Sequence, residues 1–351
     1  MNTVTIGMDL GDKNNVVCVL NAKGKMVIET TIKNDRKSIN IFFSKYKGAL
    51  VAIEASTHSP WISRQLAALG CEVLVGNSRK LRVIWDSNDK ADNRDANILA
   101  RIARFDPKLL YPITHRGKQA QIDLEIVQAR DNLVKNRTNL INHVRGSVKA
   151  QGERLLTCST ESFHKKVEDS MPDFLKETLT PIVKIIGQLT EQIKEYNRKI
   201  EQISKEQYPE TELLRRIKGV GPVTALAFVL ILEDPERFAK SRQVGSFIGL
   251  TPRRDQSGEI DKQLKITKAG NPLLRRLLVS AAQYLLGPFG EDCDLRRFGL
   301  RLSARGGKNA KRRAVVAVAR KLSVLLHHLW RHGEIYEPLH INKQRKLAKA
   351  A

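Results

Sequence analysis

Val4-Thr-Ile-Gly-Met-Asp-Leu-Gly-Asp-Lys-Asn-Asn-Val-Val-Cys-Val-Leu20 holds two apolar runs, Val4–Leu10 and Asn15–Leu20, parted by Gly11-Asp-Lys-Asn14. Glycine, Asp and Asn are turn formers, so the two runs read as neighbouring strands. Lys25–Ile32 has the same character and adds a third strand, making an antiparallel meander. Beyond it, Asp35–Tyr46 is amphipathic and helical, and Ala49–Ile53 is a short buried strand. Pro60–Leu69 is a helix stopped by Gly70, the residue type favoured just past a helix end. Glu72–Val75 is a fifth strand.

A meander followed by β–α units predicts a mixed sheet covered by helices. This is the element order of the ribonuclease H-like (RuvC-like) α/β fold. Asp9 lies within the first strand, and Glu54 ends the run Val51-Ala-Ile-Glu54. Lys90-Ala-Asp-Asn-Arg-Asp-Ala96 opens a helix over 91–104, which puts Asp92 and Asp95 one turn apart on one face. Each acid alone is an ordinary solvated or structural residue. In the expected fold, however, the two strands are adjacent and the helix packs beside them. Four converging carboxylates would repel unless divalent cations neutralise them. Mg²⁺ takes oxygen ligands, and two ions about 4 Å apart stabilise both the attacking and the leaving oxygen of a phosphodiester. Asp9-Leu-Gly-Asp-Lys-Asn14 also looks like the first phosphate loop of actin-like ATPases. That reading needs a second Asp-x-Gly loop and a Gly-Gly adenosine motif, and the chain has neither.

The composition points the same way. The 351 residues carry 61 Lys and Arg against 37 Asp and Glu, a net charge of +24. Such a balance implies a polyanionic partner, nucleic acid first. A membrane surface is the lesser candidate, since no apolar run reaches the roughly 18 residues of a spanning helix. The opening residues show no basic leader, so a cytoplasmic, nucleoid-associated prokaryotic protein is expected. Cys18, Cys71, Cys158 and Cys293 stand singly with no C-x-x-C, as reduced small hydrophobes, and zinc is not expected.

The remaining chain divides into three stretches after a first domain over 1–112. Residues 113–208 hold two long helical periods, about 119–150 and 174–206. Polar residues surround single apolar stripes there, which predicts a coiled-coil arm suited to dimerisation. Residues 209–335 form a mostly helical domain. In it, Ile217-Lys-Gly-Val-Gly-Pro-Val-Thr-Ala225 has the helix-hairpin-helix pattern, with Pro222 opening the second helix. Gly219 and Gly221 would let the backbone approach a phosphate beside Lys218. Thr251-Pro-Arg-Arg-Asp-Gln-Ser-Gly258 reads as a loop, and Lys268-Ala-Gly-Asn-Pro-Leu-Leu-Arg-Arg276 as the entry to a helix. From Arg296 to Lys349 there are fifteen basic residues, and Glu334 and Glu337 are the acids. Arg305, Lys308, Lys311, Arg312 and Arg313 precede an apolar helical face beginning at Val315, so they should present charge to phosphates. The stretch 336–351 is a basic tail, expected to be disordered.

Asp9, Glu54 and the Lys90–Ala96 box resemble the DEDD motif of insertion-sequence transposases of the IS110 family. The Gly-x-Gly helix pair, Gly249-Leu-Thr-Pro-Arg253, Gln256-Ser-Gly258 and the Lys268–Arg276 run resemble that family's C-terminal domain, in the correct order. Ala91 stands where the family's box usually carries Thr, a departure that touches no acid. The resemblance implies an enzyme that joins two double-stranded DNAs, donor and target, directed by an element-encoded guide RNA. It also implies a serine nucleophile at Ser257, with Arg253 and Arg254 near enough to stabilise a charged phosphorane. Lys268, Arg275 and Arg276 would contact nucleic acid. Acids and serine from different regions would need a composite site, hence a homo-oligomer, dimer or tetramer. A Holliday-junction-resolvase-type nuclease, with water as nucleophile, is the alternative enzyme. A nucleic-acid-binding scaffold with solvated acids is the non-enzymatic reading.

Overall fold

The computed structural model describes residues 4–81, 92–258 and 260–340, without the side chains at 92, 93, 260 and 263. Lys90, Ala91 and the end of the tail lie outside the described residues. The chain forms two compact units, Met1–Arg116 and Gly117–Ala351.

In the first unit, β1 (Thr5–Leu10), β2 (Asn14–Leu20) and β3 (Met26–Lys33) form the expected antiparallel meander. β4 (Leu50–Glu54) and β5 (Glu72–Gly76) add parallel strands, giving the order β3-β2-β1-β4-β5. Helices α1 (Arg36–Phe43) and α2 (Ser59–Ala68) cover one face. Ile6, Met8, Val17, Val19, Val51 and Ile53 pack there against Ile39, Phe43, Ile62 and Leu66. A short α3 (Ser78–Leu81) and the longer α4 (Asp92–Phe105) complete the unit. On the opposite face Cys18 and Leu20 meet Ala96 and Ala100 of α4, and Ala52 meets Leu99 and Ala103.

That second face is unusually tight at Gly7. A Cβ on Gly7 would lie 2.0 Å from the carbonyl oxygen of Ala96 and 2.6 Å from the amide nitrogen of Ala100. Strand and helix backbones therefore touch, and the small side chains of α4 are what permits it.

The second unit begins with two long helices, α5 (Lys118–Ala150) and α7 (Asp173–Gln207), with α6 (Phe163–Lys166) between them. Ala120, Leu124 and Val127 share a core with Ile200 and Ile203, whereas Ile141, Val144 and Val148 share another with Leu179, Val183 and Ile186. The helices therefore run antiparallel, with one core at the base and a separate one at the tip. At the base they join α8 (Glu210–Arg215), α9 (Pro222–Leu232), α10 (Arg242–Phe247), α11 (Pro272–Leu286), α12 (Asp294–Ser303) and α13 (Ala310–His332). Helix α9 is apolar all round, and Thr224–Leu232 are buried without exception, which makes it the axis of this core.

The stretch read as a loop is instead a β-hairpin. Strand β6 (Pro252–Ser257) pairs with β7 (Ile260–Ile266), Ser257 facing Ile260. Arg253–Ser257 is exposed and polar throughout, so no apolar alternation marks it as a strand; backbone pairing holds it.

Substitution at two glycines separates contact from conformation. Gly7→Val is expected to lower the unfolding free energy by about 1–3 kcal/mol or more, by driving α4 off the sheet. Gly146 lies within α5 with nothing within 4 Å of an added Cβ. Gly146→Ala should therefore stabilise by about 0.5–1 kcal/mol. Urea denaturation midpoints of the two variants measure both.

Candidate functional site

Asp9 and Glu54 lie on the side of the sheet that α4 covers, and Asp95 lies on α4 itself. Met8 pairs with Ile53 in the parallel β1–β4 ladder, so Asp9 and Glu54 follow at the C-terminal ends of adjacent strands. Side chains alternate along a strand. Gly7 faces α4, and Asp9, two residues on, shares its side; Ala52 packs on α4, and Glu54 shares its side likewise. Helix α4 runs opposite to β1: Arg104, near its end, donates to the Ala22 carbonyl, beyond the β2 residue Leu20 that pairs with Thr5. The first turns of α4 therefore lie toward the strand ends that carry Asp9 and Glu54. Asp95 is on the second turn and, like Asp9 and Glu54, is half-buried. Asp92 is the first residue of α4, and its side chain lies outside the described residues. The donor set is oxygen from carboxylates, which suits a hard divalent cation.

Two connections brace this end of the sheet. After β1, Asp12 meets His58, which follows β4, at 3.4 Å between Oδ1 and Nε2. Within the loop behind Glu54, the Ser56 amide donates to Ser59 Oγ (2.9 Å), Ser59 Oγ donates to the Ser56 carbonyl (2.9 Å), and His115 Nε2 lies 2.9 Å from the same hydroxyl. Burial, reinforced by the charges of Arg64 and Arg116, pushes the His115 pKa below the usual histidine range. Nothing in Ser56-Thr-His-Ser59 distinguishes it from a generic loop, so the sequence gives these braces no signature.

In the second unit the candidate nucleic-acid contacts fall into two groups. Several cations are committed to internal bonds. Arg275 donates to the carbonyls of Ile248 (2.9 Å) and Gly270 (3.2 Å), closing the turn before its helix. Arg276 pairs with Asp131 of α5, which Lys135 also meets at 2.8 Å. Burial alone would raise the Asp131 carboxyl, but its bonds to Lys135 and Arg276 outweigh this and hold its pKa below the usual range. Arg254 pairs with Asp261 across the hairpin (2.8 Å), and Lys218 with Glu291 (3.4 Å). Gly219 has φ +91°, and a Cβ there would press on Tyr284 at 3.0 Å, so the turn and the packing both require glycine. Gly221 is different: it is exposed, with nothing within 4 Å of an added Cβ, at the start of α9.

The remaining group is exposed. Arg253 and Ser257 lie on β6, Lys268 follows β7, and Arg305, Lys308, Lys311, Arg312 and Arg313 lead into α13. Lys268, Arg305, Arg312 and Arg313 line a groove of about 1900 Å³ between the hairpin, α12 and α13. Arg242, Lys265, Arg320 and Lys321 line it too, over an apolar floor that includes Phe298, Leu302 and Val316. Arg242 and Lys265 are the additions the sequence did not single out.

Residues 6–151 match the profile of a family described as a transposase, the DEDD transposases of IS110. Residues 211–290 match the "Transposase IS116/IS110/IS902 family". Among curated proteins, the chain is 28% identical to the transposase for insertion sequence element IS1111A of Coxiella burnetii, over 94% of this chain and 90% of that one. It is 25% identical to a probable family 20 transposase of Pseudomonas aeruginosa, over 96% and 100%. It is also 26% identical to a pilin gene-inverting protein of Moraxella lacunata, over 71% and 68%. The first profile covers the sheet and the acids, the second covers the helices around α9, and together they span more than half of the sequence: the chain belongs to the IS110 family of DEDD transposases.

Proposed function

We propose that this DNA transposase cleaves and rejoins strands with carboxylates from its first unit and a serine from its second. The observation that carries the reading is the placement of Asp9, Glu54 and Asp95 on one face at one end of β1, β4 and α4. Asp92 belongs to the same set by its place in the motif. These residues would hold Mg²⁺, two ions per site, which would supply charge neutralisation at the phosphodiester and activation of the attacking oxygen. The Ser257 hydroxyl oxygen, giving up its proton, bonds to phosphorus as a deoxyribose oxygen leaves as a hydroxyl. A hydroxyl of a second strand then attacks the same phosphorus, and the Ser257 oxygen leaves and regains its proton. The exposure of Ser257 at the tip of the hairpin, on the same strand as Arg253, supports that role.

Residues 113–208 are the coiled-coil arm, 209–335 the transposase domain and 336–351 the basic tail. The Gly219–Pro222 turn between α8 and α9 serves as a helix-hairpin-helix phosphate contact at Gly221. Guidance by an element-encoded RNA, and a dimer or tetramer that brings serine and acids together, rest on the family membership. Donor and target DNA would meet the exposed cations about α13.

Asp9→Asn and Glu54→Gln should each abolish cleavage of donor DNA while leaving the melting temperature unchanged or raised, as measured on purified protein. Ser257→Ala should eliminate a covalent protein–DNA adduct on denaturing gels together with strand exchange. Cleavage that persists without the adduct would assign the attack to water, as in a resolvase.

Salt dependence tests the division among the cations. Log K falls by about 0.9 per phosphate neutralised on B-DNA, so Arg312→Ala/Arg313→Ala should reduce the slope by nearly two if both contact phosphates. Arg275→Ala should leave the slope unchanged and lower the melting temperature, since its guanidinium holds a turn.

A further inference from the structure

We propose that the C-terminal end of α13 binds one divalent transition-metal ion of the zinc class through His328, His332 and Glu334. The ligand atoms of these three side chains all lie within 4.8 Å of one another. The site contains no cysteine, so the scattered thiols that argued against zinc do not bear on it.

The local sequence builds the cluster. His328 and His332 are four residues apart on a helix and share a face, with ring centroids 4.4 Å apart. Gly333 then takes a left-handed conformation (φ +65°) and caps the helix. The chain turns back there, and the Glu334 amide donates to the Leu329 carbonyl at 3.2 Å. That reversal brings the Glu334 carboxylate to His328, with Oε2 3.3 Å from Nε2. Ligand atoms about 2.0–2.1 Å from a tetrahedral zinc ion are separated by roughly 3.3 Å, so this pair already stands at the required spacing.

His332 is prepared in a second way. Its Nδ1 lies 2.9 Å from the His328 carbonyl oxygen, which can only accept, so Nδ1 carries the proton. Its Nε2 is therefore left as a lone pair, the arrangement in which a backbone carbonyl fixes the tautomer of a metal-binding imidazole. An ion pair between His328 and Glu334 would explain two of the three side chains, but not the orientation of the third. The field favours a cation as well: the site is at a helix C-terminus, where the backbone dipole is negative. The neighbouring Arg331 turns its guanidinium away, to Glu236 at 2.7 Å. Two imidazoles and one carboxylate, with water completing the set, select zinc-class ions over Mg²⁺.

The ion would fasten the segment after α13. Glu334 and Tyr336 line the basic groove, and the Pro338 carbonyl accepts from the Asp294 amide at the start of α12 (2.7 Å). The metal would thus fix one wall of that groove.

The test uses the full, untagged chain stripped by chelator and titrated with ZnCl₂ against a chromophoric zinc chelator. One ion per chain should bind and should persist in excess Mg²⁺ and in Asp9→Asn. His332→Ala and Glu334→Gln should each weaken it about tenfold or more. Both side chains are exposed, so the variants should keep the circular dichroism spectrum of the parent. Binding weaker than roughly 100 µM, or affinity unchanged in both variants, would overturn the proposal.

Discussion

The contact between Gly7 and the backbone of α4 sets the geometry on which the first unit depends. A helix resting on ordinary strand side chains stands off from the sheet by the thickness of the side chains between them. Here no side chain intervenes: Gly7 opposes the Ala96 carbonyl directly, and Ala96 and Ala100 present methyl groups to Cys18 and Leu20. Short acids cannot reach across a wide gap. With the helix seated this low, the start of α4 lies toward the strand ends that carry Asp9 and Glu54. The close packing of small residues thus sets how near α4 comes to the strands that carry Asp9 and Glu54.

The second unit handles charge in a contrasting way. Its excess of cations is divided between internal fastening and display. Arg275 and Arg276, adjacent in sequence, go to opposite tasks on the inside: one closes the turn before α11, and the other ties that helix to α5. Asp131 is a buried carboxylate stabilised by two cations, and removing both partners would strand a charge in a poorly solvated place. The displayed cations are concentrated where α13 begins, around a groove whose floor is apolar. An apolar floor under a cationic rim suits a partner that offers both phosphate and flat base surfaces.

Strands β1, β2 and β4 were legible because strands buried on both faces carry uninterrupted apolar runs, as in Val51-Ala-Ile53. Strand β3 is mostly exposed and was legible from its β-branched residues. The long helices were legible from their periodic stripes. The acids could be placed at strand ends and a helix start because those positions follow from element order alone. The hairpin β6–β7 was not legible, since Arg-Arg-Asp-Gln-Ser has no buried face to alternate with. Nor was the engagement of Arg275 and Arg276, because a guanidinium on a helix surface has the same sequence signature whether it meets DNA or a carbonyl. The asymmetry between Gly219 and Gly221 was equally hidden: only the placement of Tyr284 shows which one is filled from behind.

The paired helices α5 and α7 have a mechanical consequence. With 33 and 35 residues at about 1.5 Å each, they span roughly 50 Å. Base and tip are bonded through separate apolar clusters, so the tip holds its own shape. Such a beam is a lever: a tilt of about 5° at the base carries the tip roughly 4 Å. A repacking of one side chain near Leu124 or Ile203, small where it occurs, arrives at the far end as a displacement the size of a hydrogen-bonded contact.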